Sequence, residues 1–320
     1  MMAAAYDRNG DPDVLVYREI PDPVVGPTTV LIRVAYAAIQ GADLGRRRNM
    51  APPETPYVGG LQAAGVVEAV GEKVTGVAIG QAVVGFAYSG SHAELFAADE
   101  SQVYPVPAGL DLQKAASVPI EFGTAGEGLF ERGRLQPSET VVIRGATGGV
   151  GIAAIQLAKN AGAKVIAVAG GAEALARVRA LGADHVINYR DEDVATRIRE
   201  LTGGDGANLV LDLAGGTPLI DALAFGGRYA VIGAASGKLE AIQLGDLHAN
   251  DLMVFGFVFG KVMHTPRVRA SIATHMQWVA EGKGEIPVDK VFDLSEAAAA
   301  HRHAESSQAF GRVLIRPKAA

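Results

Sequence analysis

At 320 residues the chain has room for two domains of about 150 residues, each able to bury its own core without staples. Apolar residues make up 49% and charged residues 20%, which excludes extended disorder, while a formal charge of -6 gives no net attraction to nucleic acid or an anionic membrane. The absence of cysteine excludes disulfides, thiolate nucleophiles and any sulfur-ligated zinc.

The opening Met1-Met2-Ala3-Ala4-Ala5-Tyr6-Asp7 has neither the basic flank nor the apolar core of a signal peptide. No apolar stretch reaches the roughly 20 residues of a membrane span, so a soluble cytoplasmic protein with no membrane partner is expected. From Val14 to about Val106, short β-branched runs broken by Gly and Pro predict β-barrel-like material, with strands at 30–36, 65–71 and 81–86. Around Leu112 the texture becomes helix-compatible, and from Glu139 apolar runs alternate with helical segments, the pattern of a parallel α/β sheet. Strands are predicted at 141–144, 164–168, 184–188, 209–212 and 229–233, with helices over 149–161 and 172–181, the latter stopped by Gly182. The apolar run 252–259 has the composition of a strand buried on both faces, and 312–316 predicts a strand returning to the first domain.

Between the first of these parallel strands and its helix lies Gly145-Ala146-Thr147-Gly148-Gly149-Val150-Gly151. Glycines let peptide N–H groups approach a diphosphate while the helix N-terminus supplies partial positive charge. Set in a strand-helix-strand context, this turn predicts dinucleotide binding, and the lack of a Lys-Ser/Thr pair argues against triphosphate chemistry. The second strand ends in Ala169-Gly170-Gly171 rather than in a carboxylate for the ribose hydroxyls, so NADPH is favoured over NADH. Glu173 lies a few residues past the strand and reads as a first-turn helix acid; Arg177, Arg179 and Arg190 are nearby sources of positive charge.

Several long motifs occur in one order: Tyr6 to Leu15, Glu19-Ile20-Pro21-Asp22-Pro23, Ala63-Ala64-Gly65-Val66-Val67, the glycine turn with Gln156-Leu157-Ala158-Lys159, Leu181 to Tyr189, and Gly311-Arg312-Val313. On these the chain resembles the zinc-independent quinone oxidoreductases, similar to ζ-crystallin, of the medium-chain dehydrogenase/reductase superfamily. The resemblance implies a GroES-like β-barrel domain assembled from residues 1–116 and 261–320, and an inserted Rossmann doubly wound domain over 117–260. It implies NADPH held beside Thr124, Ala146, Thr147, Gly148, Gly149, Val150, Gly170, Gly171, Tyr189, Gly233, Ala234, Phe257, Val258 and Arg312. Gln40-Gly41-Ala42-Asp43 stands where zinc-dependent relatives carry Cys-Gly-x-Asp, and Gly60-Leu61-Gln62 stands where they carry Gly-His-Glu. Neither Gln40 nor Leu61 can replace a thiolate or an imidazole, so no metal site is expected. His301 and His303 on a late helix read as a solvated face.

Without a Lewis acid, hydride transfer favours an acceptor that is already electrophilic, namely a quinone or an enone. Gln40 and Gln62 are the candidates for orienting the carboxamide or the substrate carbonyl. The expected function is an NADPH:quinone oxidoreductase, with an enoyl or alkenal double-bond reductase as the related alternative. A coenzyme-binding regulatory or structural protein without turnover is the alternative from another class. RNA binding, known in the family, fits the net charge poorly, although Arg46-Arg47-Arg48 is a local basic run. A homodimer is implied through the sheet edge formed by the 252–259 run.

Overall fold

The computed structural model describes residues 1–318 except 236 and 307. Its contacts divide the chain into two compact units, Met1–Ile120 with Gly260–Ala320, and Glu121–Phe259. In chain order the first unit supplies β1 (Met2–Tyr6), β2 (Val16–Glu19), β3 (Thr29–Ala38), α1 (Gly41–Asn49), β4 (Tyr57–Val58), β5 (Gln62–Val70), β6 (Ala82–Phe86), β7 (Leu95–Asp99), β8 (Val103–Pro105) and α2 (Leu112–Ala115). Helix α3 (Pro119–Gly126) leads into the second unit, which contains β9 (Thr140–Arg144), α4 (Gly149–Asn160), β10 (Lys164–Ala169), α5 (Ala172–Ala180), β11 (His185–Asn188), α6 (Val194–Leu201), β12 (Ala207–Asp212), β13 (Leu223–Val231), α7 (Leu244–Ala249) and β14 (Met253–Gly256). The chain then returns to the first unit through α8 (Pro266–Ala280), β15 (Val288–Asp293), α9 (Ala297–Ala304) and β16 (Arg312–Arg316).

The first unit is built on alternation. In β3, Val30, Ile32 and Val34 point into a buried cluster with Val67, Val83, Phe96 and Val103, while Arg33 faces out and pairs with Glu68 across the ladder at 2.7 and 2.9 Å. The main sheet runs β15-β16-β3-β5-β6-β8 with β7 also on β3, beside a small β2-β1-β4 sheet. Strand β16 pairs antiparallel with β3, so the end of the chain closes the sheet begun near its start, as the sequence predicts. The first boundary falls after Ile120, later than the expected 116. Gln62 explains this: its side-chain N–H donates to the Ala116 carbonyl at 2.7 Å and its oxygen accepts the Ile120 N–H at 3.0 Å, tying that segment to β5.

The second unit is a fully parallel sheet in the order β11-β10-β9-β12-β13-β14. Numbered along the chain this is third, second, first, fourth, fifth, sixth, so the topology reverses direction between β9 and β12, and ligands of such sheets sit at the carboxyl ends of the strands there. The central strands need no alternation because both faces are covered: Val141, Val142 and Ile143 are all buried, as are Leu209, Val210 and Leu211. The 252–259 run departs from expectation. Only 253–256 form a strand, and it is not buried on both faces: β14 ends the sheet order, leaving Met253 48% exposed and Val258 57% exposed beyond it. Strand β13 likewise closes at Val231, so Gly233 lies in the loop beyond it.

Candidate functional site

The turn after β9 is shaped by what its glycines permit. Gly145 adopts φ +84, in the region that favours glycine, and its N–H and that of Ala146 reach back to the Val168 carbonyl at 3.3 and 3.2 Å. At Gly151 a Cβ would collide with the Gly145 carbonyl and lie 2.8 Å from Ala146 Cα, so this glycine lets helix α4 press against the turn. Gly148 differs. A Cβ there would meet only the Gly145 carbonyl, at 3.8 Å, so packing within the protein does not require a glycine at this position. Gly148 is the N-cap of α4, and the first-turn amides of Gly149, Val150 and Gly151 have no intrahelical acceptor. An open approach over Gly148 toward free amides and a helix N-terminus fits a diphosphate.

The expected coenzyme residues that follow strands β10, β11, β13 and β14 lie at the same end of the sheet. Gly170 and Gly171 follow β10. A Cβ on Gly170 would lie 2.8 Å from both Arg190 Nε and Tyr189 Cε1, so these two side chains cover it, with the Arg190 guanidinium 5.9 Å from the Tyr189 ring centre. Tyr189 is exposed beyond β11, and the Gly171 N–H is 3.3 Å from the Asn188 side-chain oxygen. Gly233 donates its N–H to the Asp212 carbonyl at 3.2 Å, and Ala234 is exposed beside it. Phe257 lies under the Arg132 guanidinium at 4.9 Å, and Thr124 is buried in α3.

Asp212, at the carboxyl end of β12, holds the loop facing this turn. It is buried, accepts the Ala214 and Gly215 N–H groups at 2.9 Å each and Arg144 Nη1–H at 3.3 Å, and takes the Tyr229 hydroxyl as a further donor. Burial and this carboxylate raise the Tyr229 phenol above its ordinary range. Asp212→Ala strands a buried hydroxyl and part of a guanidinium, so a loss of about 3–5 kcal/mol in urea unfolding is expected, with Tyr229→Phe costing about 1 kcal/mol.

In the first unit, Gln40 is the N-cap of α1. Its N–H donates to the Asp43 carboxylate at 2.8 Å, and the Asp43 N–H returns to the Gln40 carbonyl at 3.0 Å. Asp43 is not among the residues expected from sequence, although the spacing of a capping pair is visible in Gln40-Gly41-Ala42-Asp43. Burial pushes its carboxyl up to about 7, opposed by the Gln40 and Leu61 backbone amides and by Arg46 and Arg312. Asp43 therefore brings Gln40 and Arg312 into one neighbourhood. Gln62 does not fit its expected role. Its side chain is fully buried and its amide is bonded at both ends to the 116–120 backbone, so it organises the chain rather than facing substrate. Gln62→Leu is expected to lower stability by about 1–3 kcal/mol in chemical denaturation.

Each arginine of the basic run has a partner within the first unit, although only Arg47 is buried and Arg48 stays exposed. Arg46 donates to the Tyr88 carbonyl and to the Tyr57 hydroxyl, Arg47 is buried against Glu305 at 2.5 Å, and Arg48 shares the same carboxylate at 2.9 Å. His301 is also not on a solvated face: it is 2% exposed, while His303 pairs with Asp289 at 2.6 Å. Among the described residues no three His, Asp or Glu side chains come together as a metal site, and no helix is long and apolar enough to cross a membrane.

Two family models match the chain, the alcohol dehydrogenase GroES-like domain over residues 26–108 and the zinc-binding dehydrogenase domain over 149–281. Rat quinone oxidoreductase-like protein 2 is 30% identical over 309 residues, covering 94% of this chain and 88% of that protein. A 2-haloacrylate reductase from a Burkholderia species is 32% identical over the whole of both chains. The crystal structure of Escherichia coli quinone oxidoreductase complexed with NADPH superposes with a TM-score of 0.93 at 27% identity, covering 99% of this chain and 100% of the other. With a GroES-like first unit and a Rossmann second unit, the chain belongs to the quinone oxidoreductase family of the medium-chain dehydrogenase/reductases.

Proposed function

We propose that this protein is an NADPH-dependent oxidoreductase that delivers hydride to a quinone or a similar conjugated carbonyl acceptor without a metal. The observation that carries this reading is the 145–151 turn, open at Gly148 and set where the parallel sheet reverses its order. The E. coli structure determined with NADPH supports the same coenzyme here. When bound, the coenzyme supplies hydride from its reduced nicotinamide.

The amides of Gly149, Val150 and Gly151 and the N-terminus of α4 hold the diphosphate. No carboxylate follows β10, and Arg190 beside Gly170 offers charge to a 2′-phosphate, which selects NADPH over NADH. Glu173 is exposed in the first turn of α5, where it complements that helix's own dipole. Thr124, Ala146, Thr147, Tyr189, Gly233, Ala234, Phe257 and Val258 line the rest of the coenzyme's path within the second unit. Gln40 can donate a hydrogen bond to a carbonyl but is no general acid, so the final proton comes from water. Because amide and alkyl groups replace zinc ligands, the acceptor must carry its own electrophilicity.

Calorimetric titration with NADPH and NADH, followed by steady-state assays on quinone and alkenal panels, tests this reading. Tight NADPH binding with quinone turnover is expected, and failure of both coenzymes to bind overturns it. The end-to-end match to a 2-haloacrylate reductase favours a second reading, an activated alkene as acceptor, which the same panels distinguish. We also propose a homodimer through the open edge at β14, where Met253 and, at the neighbouring β13, Phe225 leave apolar surface uncovered; sedimentation at a monomer's mass would reject it.

A further inference from the structure

Within the first unit, away from Gln40, four polar side chains converge with buried polar atoms that bond to no described group of the protein. Ser91 and His92 are 0% exposed, Arg47 1% and His301 2%. The Ser91 hydroxyl, both ring nitrogens of His92, both of His301, and Nε and Nη1 of Arg47 are all buried without a hydrogen-bond partner among the described groups. The two imidazoles meet edge to face with ring centres 5.1 Å apart, and Arg47 is close enough to press on the proton affinity of His301. Their backbones are tied down: Ser91 N–H bonds Gly60, His92 N–H bonds Gly59, and the carbonyls of His92, Arg47 and His301 accept from Ala4, Gly10 and Glu305. The side chains are thus held in place by three separate elements, α1, the 91–92 segment and α9. Gly60 keeps the space clear. It adopts φ +91, and a Cβ there would strike the Ser91 hydroxyl and lie 2.8 Å from His92 Nε2.

Buried polar atoms in such number do not stay unsatisfied, since each would cost about 1–3 kcal/mol. The chemistry of the set identifies what would satisfy it. Neutral imidazoles give one N–H and one lone pair each, serine gives one O–H and two lone pairs, and the two unbonded guanidinium nitrogens give three N–H, so about six donors face about four acceptors. The Glu305 carboxylate is shared between Arg47 and Arg48, which leaves this trio with a net positive charge. A buried guanidinium beside the imidazoles disfavours a metal cation. Water donates as readily as it accepts, so it leaves more of these donors unmet than a group that only accepts. We propose that Arg47, Ser91, His92 and His301 form a buried binding site for a small monovalent anion of halide size, which joins α1 and α9 to the barrel.

The test uses wild-type protein purified and crystallised in sodium bromide. An anomalous difference peak in contact with Arg47 Nε and the two imidazoles is expected; ordinary water at those positions, with no anomalous signal, overturns the proposal. In solution, replacing methanesulfonate with bromide at constant ionic strength should raise Tm as the logarithm of bromide concentration. His301→Phe, which fills similar space without N–H groups, should lose that response. An equal response in wild type and variant overturns the proposal, and if the variant fails to fold the wild-type crystal decides alone.

Discussion

Lowering the pH from 6.5 to about 4 is expected to remove several kcal/mol of folding stability. Burial pushes His92 down to about 4 and His275 down to about 4, and holds His301 well below its ordinary value, with His92 and Arg47 adding to the effect there. In each case the folded protein holds the neutral ring while the unfolded chain takes a proton near 6.5, so the unfolded state binds more protons across this window. Stability is full above 6.5 and falls as the pH drops toward 4. A change from 6.5 to about 4 is worth about 3 kcal/mol for each such imidazole. Asp43 works in the opposite direction. Its carboxyl, pushed up to about 7, makes the charged form a burden that is relieved as pH falls, an offset of about 4 kcal/mol by the same conversion. Three buried imidazoles outweigh one buried carboxyl, so the net change is a loss. Urea midpoints measured from pH 7.5 to 4.5 should fall steadily, and His275→Leu should flatten part of the slope. A midpoint constant over that range would show that these rings are not buried in the neutral form.

The parts of the fold that were legible in sequence are those whose environment is decided locally. The β9, β10 and β12 strands read correctly because a run such as Val141-Val142-Ile143 has one stable use, a strand covered on both faces. The same logic failed at 252–259, where composition alone cannot distinguish a central strand from an apolar edge that the chain leaves open. The glycine turn was legible because its chemistry is carried by backbone within seven consecutive positions, Gly145 to Gly151. Gln62 was misread because its fate depends on the Ala116 carbonyl and the Ile120 N–H, which are 54 and 58 residues away. His301 was misread for the same reason: a short helix of alanines and histidines looks solvated until His92 and Arg47 close over it. Polar residue types suggest chemistry, but which of them face a ligand is settled by tertiary neighbours that no local pattern records.

Within the glycine turn, two substitutions should separate folding from coenzyme binding. At Gly151 any side chain meets the Gly145 carbonyl and Ala146 Cα, so Gly151→Val forces the strand-to-helix turn apart and should unfold or severely destabilise the second unit, by at least about 3 kcal/mol. At Gly148 the protein offers almost no obstacle, the nearest atom being the Gly145 carbonyl at 3.8 Å, and the backbone there is extended at φ -78 and ψ 161, which any residue can adopt. Gly148→Asp should therefore leave Tm nearly unchanged; an acid at an N-cap is even favourable for α4. The same carboxylate would project into the space proposed for the diphosphate, beside the amides of Gly149 and Val150, bringing like charges together. Coenzyme affinity should fall on the order of 100-fold, about 2.7 kcal/mol, by calorimetry. The loss should shrink in Gly148→Ala, which adds bulk without charge. If Gly148→Asp binds NADPH as wild type does, the diphosphate does not lie over this turn, and the coenzyme site would have to be sought elsewhere on the sheet.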